Sequence, residues 1–129
     1  MYKVMKGQEG FTLLELLVVI SIISVLSIVA IPKFNNAITL ANTTKIQSDL
    51  QTLDTAIVLY ETTTGKLPTD LYTNLDEYVV DIKKLKPPQG KCLLRNGKTV
   101  DIAAAEYSLE TGGKRALCDI YTANDVGRP

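Results

Sequence analysis

Apolar residues crowd one end of the chain. From Phe11 to Ile31 only Thr12, Glu15, Ser21, Ser24 and Ser27 interrupt a run of Leu, Val, Ile, Ala and Phe. No polar stripe runs along it, so it does not read as the surface helix of a globular protein. About 20 helical residues at 1.5 Å each cross a bilayer core of roughly 30 Å, and this run is long enough. A small domain cannot bury such a helix on every side, which argues against a core helix. A secretory signal cut after the run also fits poorly. The run exceeds the usual apolar length of about 7–15 residues, Glu15 lies inside it, and Ile28-Val29-Ala30 puts a branched residue where a small one is needed.

The pattern changes after Pro32, which lacks a donor and should kink the helix or melt it locally. Ile38 lies beyond it, and Ile46, Leu50, Leu53, Ile57 and Tyr60 then recur at helical spacing. Lys45, Gln47, Asp49, Thr52 and Asp54 are expected on the opposite, solvated face. Gly65 is a natural stop after Thr62-Thr63-Thr64. A helix from Phe11 to Thr64 would measure about 80 Å if straight, half apolar and half amphipathic. Thr69 or Asp70 can cap a second helix through about Val79, with Leu71, Leu75 and Tyr78 or Val79 inward. Lys86-Pro87-Pro88-Gln89-Gly90 is a rigid turn.

The remainder reads as antiparallel sheet. Lys91–Arg95 and Lys98–Ile102 flank Asn96-Gly97, a strong hairpin signal. Glu106–Glu110 alternates, and Arg115–Tyr121 is the expected last strand. Tyr60, Tyr78 and Tyr107 read as core or rim.

Composition narrows the chemistry. The chain has 129 residues, one domain's worth, with 14 basic and 14 acidic residues and no net charge. That balance gives no case for a nucleic-acid partner. There is no His and no Trp, and Cys numbers 2. A Cys/His nucleophile or a zinc centre is therefore unavailable, no Gly-rich loop cradles a phosphate, and an enzyme is not expected.

The junction before the apolar run carries the functional reading. Lys6-Gly7-Gln8-Glu9-Gly10 is short and polar, and Gly10-Phe11-Thr12-Leu13-Leu14-Glu15 follows directly. A carboxylate costs about 2.5–3.5 kcal/mol at a bilayer centre, less toward the interface, and such groups usually have a partner. No Lys or Arg lies between Lys6 and Lys33, so within the chain only the backbone is near, and a partner is expected from elsewhere or from processing.

Gly10 to Phe34 (GFTLLELLVVISIISVLSIVAIPKF) resembles the class III signal of type IV pilins and of the pseudopilins of type II secretion and DNA-uptake machines. The resemblance implies a leader, residues 1–10, removed by an integral-membrane prepilin peptidase between Gly10 and Phe11. It implies N-methylation of Phe11, and maps the family's conserved acid onto Glu15 and its proline onto Pro32. In that family the new amine is thought to meet the Glu of a neighbouring subunit. Two opposite unpaired charges in hydrocarbon favour association, which fits. The stretch from Leu59-Tyr60-Glu61 to Gly65 and Pro68-Thr69 also resembles the corresponding turn of major pseudopilins.

The implied architecture is the α+β pilin fold: a transmembrane assembly helix over 11–34, its amphipathic half over 35–64, and a head over 65–129 with a short helix and an antiparallel sheet. The implied role is a non-enzymatic filament subunit, a major pilin or major pseudopilin. It would be held in the inner membrane as a single-pass protein, head outward, and then pass into a filament in the periplasm or on the cell surface. Its partners would be its own copies, the prepilin peptidase, the inner-membrane assembly platform with its ATPase motor, and minor pilins. Surface pilus, secretion pseudopilus and DNA-uptake pilus all share these features. The alternative is a single-pass anchor presenting a binding module that never polymerises; it needs neither Glu15 nor the Gly10-Phe11 junction.

Three further expectations concern side chains. Ser21, Ser24 and Ser27 either let helices approach closely or bond their own backbone carbonyls. Cys92 and Cys118 are expected to form a disulfide, because a head outside the cytoplasm meets an oxidising compartment. No cofactor is required, but major pseudopilins of type II secretion can bind calcium in terminal loops, and Asp119, Asn124 and Asp125 lie in that region with spacing that matches no motif. Solvated loop residues are the other reading of that cluster.

Overall fold

A computed structural model describes residues 10–129. The leader proposed over 1–10 lies outside the described residues except for Gly10. Contacts divide the chain between Asn35 and Asn36 into two compact units.

Helix α1 spans Leu13–Thr64, with Pro32 inside it. The helix is not melted at Pro32, contrary to one reading of the sequence. Proline removes one donor, and the carbonyls of the neighbouring turns keep theirs. In the first unit every residue from Phe11 to Leu26 is exposed, Phe11 at 85%. In the second unit α1 buries Ile46, Leu50, Leu53, Ala56 and Ile57 as one stripe. Gly65 ends the helix with φ +71, and its N–H donates to the Glu61 carbonyl at 2.8 Å.

The rest of the second unit packs on that stripe. Helix α2 is only Leu71–Asn74, capped by Asp70, whose carboxylate accepts from the Tyr72 and Thr73 N–H groups. It stops well short of Val79. The Asn74 side chain turns back to accept from the Thr69 and Asp70 N–H groups, and Leu75 leaves the helical region. Leu71, Leu75 and Val79 still point inward. A single 3-10 turn, Ile82–Lys84, follows.

Four short strands complete the head. β1, Gly90–Leu93, pairs antiparallel with β2, Thr99–Ile102, placing Cys92 opposite Val100. β3, Ser108–Leu109, pairs antiparallel with β4, Ala116–Leu117. These are two separate two-stranded sheets, not the single sheet the alternation suggests. The last strand breaks because Asp119 is left-handed, φ +56, and Cys118 and Tyr121 close a tight turn with N–H···O bonds of 3.0 Å each way. The expected architecture, a long N-terminal helix packed on small antiparallel sheets, is the one the chain adopts.

Candidate assembly site

Thr12 and Glu15 form the first turn of α1. The Thr12 N–H donates to Glu15 Oε2 at 3.0 Å, and the Glu15 N–H donates to Thr12 Oγ1 at 3.2 Å. This is a capping box, which satisfies two helix-end donors reciprocally. The sequence sets the partner of Glu15 outside its own span; within the chain the structure gives it the Thr12 amide.

Beyond that turn, the apolar stretch has little polar surface of its own. Ser21 Oγ donates to the Leu17 carbonyl, Ser24 Oγ to that of Ile20 and Ser27 Oγ to that of Ile23, each at 2.7 Å. Of the two readings for these serines, the structure shows the second. Their hydroxyls are satisfied within the helix, as hydrocarbon requires. The most apolar window of α1 has a mean hydropathy of 2.8 and no residue buried within the protein. A surface like this needs lipid or other apolar helices to cover it.

The head is pinned to α1 by polar side chains flanking the apolar stripe. Asn42 Nδ2 donates to the carbonyls of Gln89 and Lys91, both at 3.1 Å. Thr43 Oγ1 accepts from the Leu93 N–H at 2.8 Å while donating to Thr39. Asp54 Oδ1 accepts from the Ala116 N–H at 2.8 Å. Burial raises the Asp54 pKa, and that backbone bond opposes the rise. Asp49 takes bonds from Tyr107 and Lys45. Asp49 is buried and Asp54 half-buried, so the expected solvated face is wrong for both. At the helix positions beside Ile46, Leu50 and Leu53, a short acceptor can reach donors of the packed head, the Tyr107 hydroxyl for Asp49 and the Ala116 N–H for Asp54. The only trace of this in the sequence is that these polar positions border the stripe rather than oppose it.

Tyr107 is buried, and Tyr60 and Tyr78 pack edge-to-face at 5.9 Å. Cys92 and Cys118 are two free, buried thiols, where a disulfide was expected. Cys92 lies in the β1–β2 hairpin and Cys118 in the turn that ends β4, near enough that Cys92 contributes to the raised Cys118 pKa. Burial pushes both thiols up, Cys118 to about 12.

Two of the three candidate calcium ligands hold bonds within the protein. Asp119 Oδ2 accepts from the Ala103 N–H at 3.0 Å. Asp125 Oδ2 accepts from the Thr122 N–H and hydroxyl at 2.8 Å, bonds that lower its pKa. Asn124 is exposed. No group of three or more acidic, Cys or His side chains able to hold a metal occurs among the described residues.

Similarity to known proteins lies in the sequence. Residues 5–31 match the family model of the prokaryotic N-terminal methylation motif. The chain is 27% identical over 128 residues to a type II secretion system core protein G of Klebsiella michiganensis, covering 96% of this chain and 88% of that one. No solved structure matches.

Proposed function

We propose that this chain, which carries the prepilin-type methylation signal of type IV pilins and pseudopilins, is a structural filament subunit of the type II secretion major-pseudopilin kind. The observation that carries the reading is the N-terminal unit itself: an apolar helix exposed all round, with a carboxylate at its first turn and Gly10-Phe11 just ahead. The similarity to a core protein G over nearly the whole chain favours secretion over a surface or DNA-uptake pilus.

Processing between Gly10 and Phe11 creates an α-amino cation two residues before the helix. In the membrane the subunit is a single-pass anchor. In the filament its apolar face is covered by the helices of other copies, and the Phe11 amine meets Glu15 of a neighbour. Glu15 Oε2 accepts a single bond from the Thr12 amide, so the carboxylate keeps acceptor positions for the neighbour. Prepilin peptidase, an assembly platform with its ATPase and minor pseudopilins are the partners this mechanism needs. The head lies outside the cytoplasm and stays folded throughout, because its core and its clamps to α1 are complete without the neighbour.

Intact-mass measurement on membrane material tests processing. The expected species lacks Met1–Gly10 and carries one added methyl on Phe11. A chain that begins at Met1, or one cut after Ala30, would overturn the reading. Sheared secretion filaments containing the chain are the expected assembly product.

A further inference from the structure

Charge is unevenly placed in the Asn36–Pro129 unit. From Ile82 to Val100 every charged residue is basic: Lys83, Lys84, Lys86, Lys91, Arg95 and Lys98. Between Glu61 and Glu77 the chain carries Glu61, Asp70, Asp76 and Glu77 against Lys66 alone. The two segments meet where Tyr72 Oη donates to the Leu85 carbonyl and Lys84 pairs with Asp81, but their far parts lie at opposite ends of the α1 stripe. The basic segment lies beside the first turns, through Asn42 to Gln89 and Lys45 to the Lys86 carbonyl. The acidic segment lies beside the last turns, through Thr63 to Tyr78 and the Tyr60–Tyr78 ring pair. From Gln47 to Thr64 is roughly 26 Å of helix.

The basic end holds an open cleft of about 360 Å³ lined by Leu40, Thr43, Thr44, Gln47, Arg95 and Arg128. Its floor is fixed by backbone. The Arg95 N–H donates to the Asp125 carbonyl at 2.9 Å, the Gly127 N–H to the Leu93 carbonyl at 3.0 Å, and Leu94 bridges Val126. A Cβ at Gly127, φ +144, would lie 3.4 Å from Arg95 Nε and 3.5 Å from Gln47 Nε2. The missing side chain leaves a guanidinium and an amide facing the same space. Neither Arg95 nor Arg128 has an ion-pair partner among the described residues, and nor do Glu61, Asp76 and Glu77.

We infer that the Arg95–Arg128 cleft receives a carboxylate from the Asp76–Glu77 turn of a second copy of this chain, an inference that rests on the filament reading. A guanidinium fork matches a carboxylate in two parallel hydrogen bonds, and Gln47 adds a donor. The opposite charge of the two ends makes the surfaces complementary between copies. The contact joins unlike surfaces, so it need not close on itself and propagates as an open helix. It sets the register of heads, apart from the packing of the apolar helices.

The test reverses charges in the full-length chain and compares filament yield with membrane-fraction abundance. Arg95→Glu, Arg128→Glu and the pair Asp76→Arg with Glu77→Arg should each lower yield by about tenfold at unchanged abundance. Combining Arg95→Glu with the Asp76/Glu77 reversal should restore it. Normal yield from the Arg variants, or no rescue in the combination, overturns the contact. Arg128→Cys with Glu77→Cys gives a second measure that does not reverse the cleft. Mild oxidation of its filaments should give a ladder of covalent oligomers, and monomer alone overturns the contact. Wild-type filaments with unaffected variants sink this contact only; a wild-type chain that never assembles sinks the filament reading and the contact together.

Discussion

Tyr107 reaches across 58 residues to Asp49: its phenolic O–H donates to Asp49 Oδ2 at 2.6 Å. Lys45 Nζ donates to the same oxygen at 2.5 Å. The backbone N–H of Tyr107 donates to Tyr72 Oη, and Tyr72 Oη donates to the Leu85 carbonyl. One carboxylate on α1 therefore holds the segment before β3, and through it the loop after the 3-10 turn. A bond to a charged acceptor contributes about 1.5–3 kcal/mol, and its loss leaves a buried acceptor short of a donor. Tyr107→Phe keeps the ring and removes only the hydroxyl. We expect it to lower stability by roughly that amount, seen as a lower denaturant midpoint at unchanged slope for the full chain in detergent. An unchanged midpoint would remove Tyr107–Asp49 from the clamp.

Alkaline pH should weaken the head for a related reason. Burial, then the bond to Asp49, raises the Tyr107 pKa far above its ordinary value. Burial likewise lifts Tyr72 and Cys92, and brings Cys118 from 9.0 to about 12. In each case the folded chain holds a proton that the unfolded chain releases. Between these pKa values the folded state binds more protons, so stability falls as pH rises. The loss should begin near pH 9, where the free thiol titrates, and deepen through pH 12. Denaturant midpoints at pH 8, 10 and 11.5 would show it. A flat profile would mean these groups open to water in the folded chain.

Much of this architecture was legible because long patterns are robust. The apolar run and the spacing of Ile46, Leu50, Leu53 and Ile57 extend over many turns, and each position repeats the same message. The Asn96-Gly97 hairpin was readable from its turn chemistry; Gly97 takes φ +83 as such a turn requires. What was not legible depended on single side chains. Asn74 folding back on Thr69 ended α2 early, and Asp119 in the left-handed region broke the last strand. Asp49 read as solvated because periodicity assigns a residue to a face and says nothing of a Tyr far along the chain. The Thr12–Glu15 capping box was present in the sequence as Thr-x-x-Glu. A carboxylate at the edge of an apolar run reads first as a charge in a membrane, which hides its part in the cap.

The loop after α1 depends on Gly113. It has φ +73, and a Cβ there would lie 2.5 Å from the Pro68 carbonyl oxygen and 3.5 Å from Leu67 Cβ. Gly65 has a similar φ, +71, with nothing within 4 Å. The left-handed conformation alone costs a non-glycine residue about 1–2 kcal/mol. Gly65→Ala should lose roughly that. Gly113→Ala must also push a backbone carbonyl aside, so it should lose clearly more. Melting of the two variants side by side separates conformation from contact. Equal losses would mean that the 65–70 loop yields freely to the β3–β4 hairpin.

Glu15 has one observed role and one proposed role, and one substitution can separate them. It caps α1 through the Thr12 N–H at 3.0 Å, and we propose that it also meets the Phe11 amine of another subunit. Glu15→Ala removes both, so its phenotype cannot tell them apart. Gln serves at this position of a capping box nearly as well as Glu, because its carbonyl oxygen accepts the same N–H. It carries no charge. Glu15→Gln should therefore keep the first helical turn and relieve the cost of an anion near hydrocarbon, so insertion and cleavage stay normal. If pairing between subunits carries assembly, filament yield should still collapse, as in Glu15→Ala. If the cap is what matters, Glu15→Gln filaments should match wild type while Glu15→Ala fails. The measurement is sheared filament yield against processed subunit in the membrane for the three chains. Normal filaments from Glu15→Gln would leave the Glu15 charge without the role assigned to it, and the capping box as the reason the residue is there.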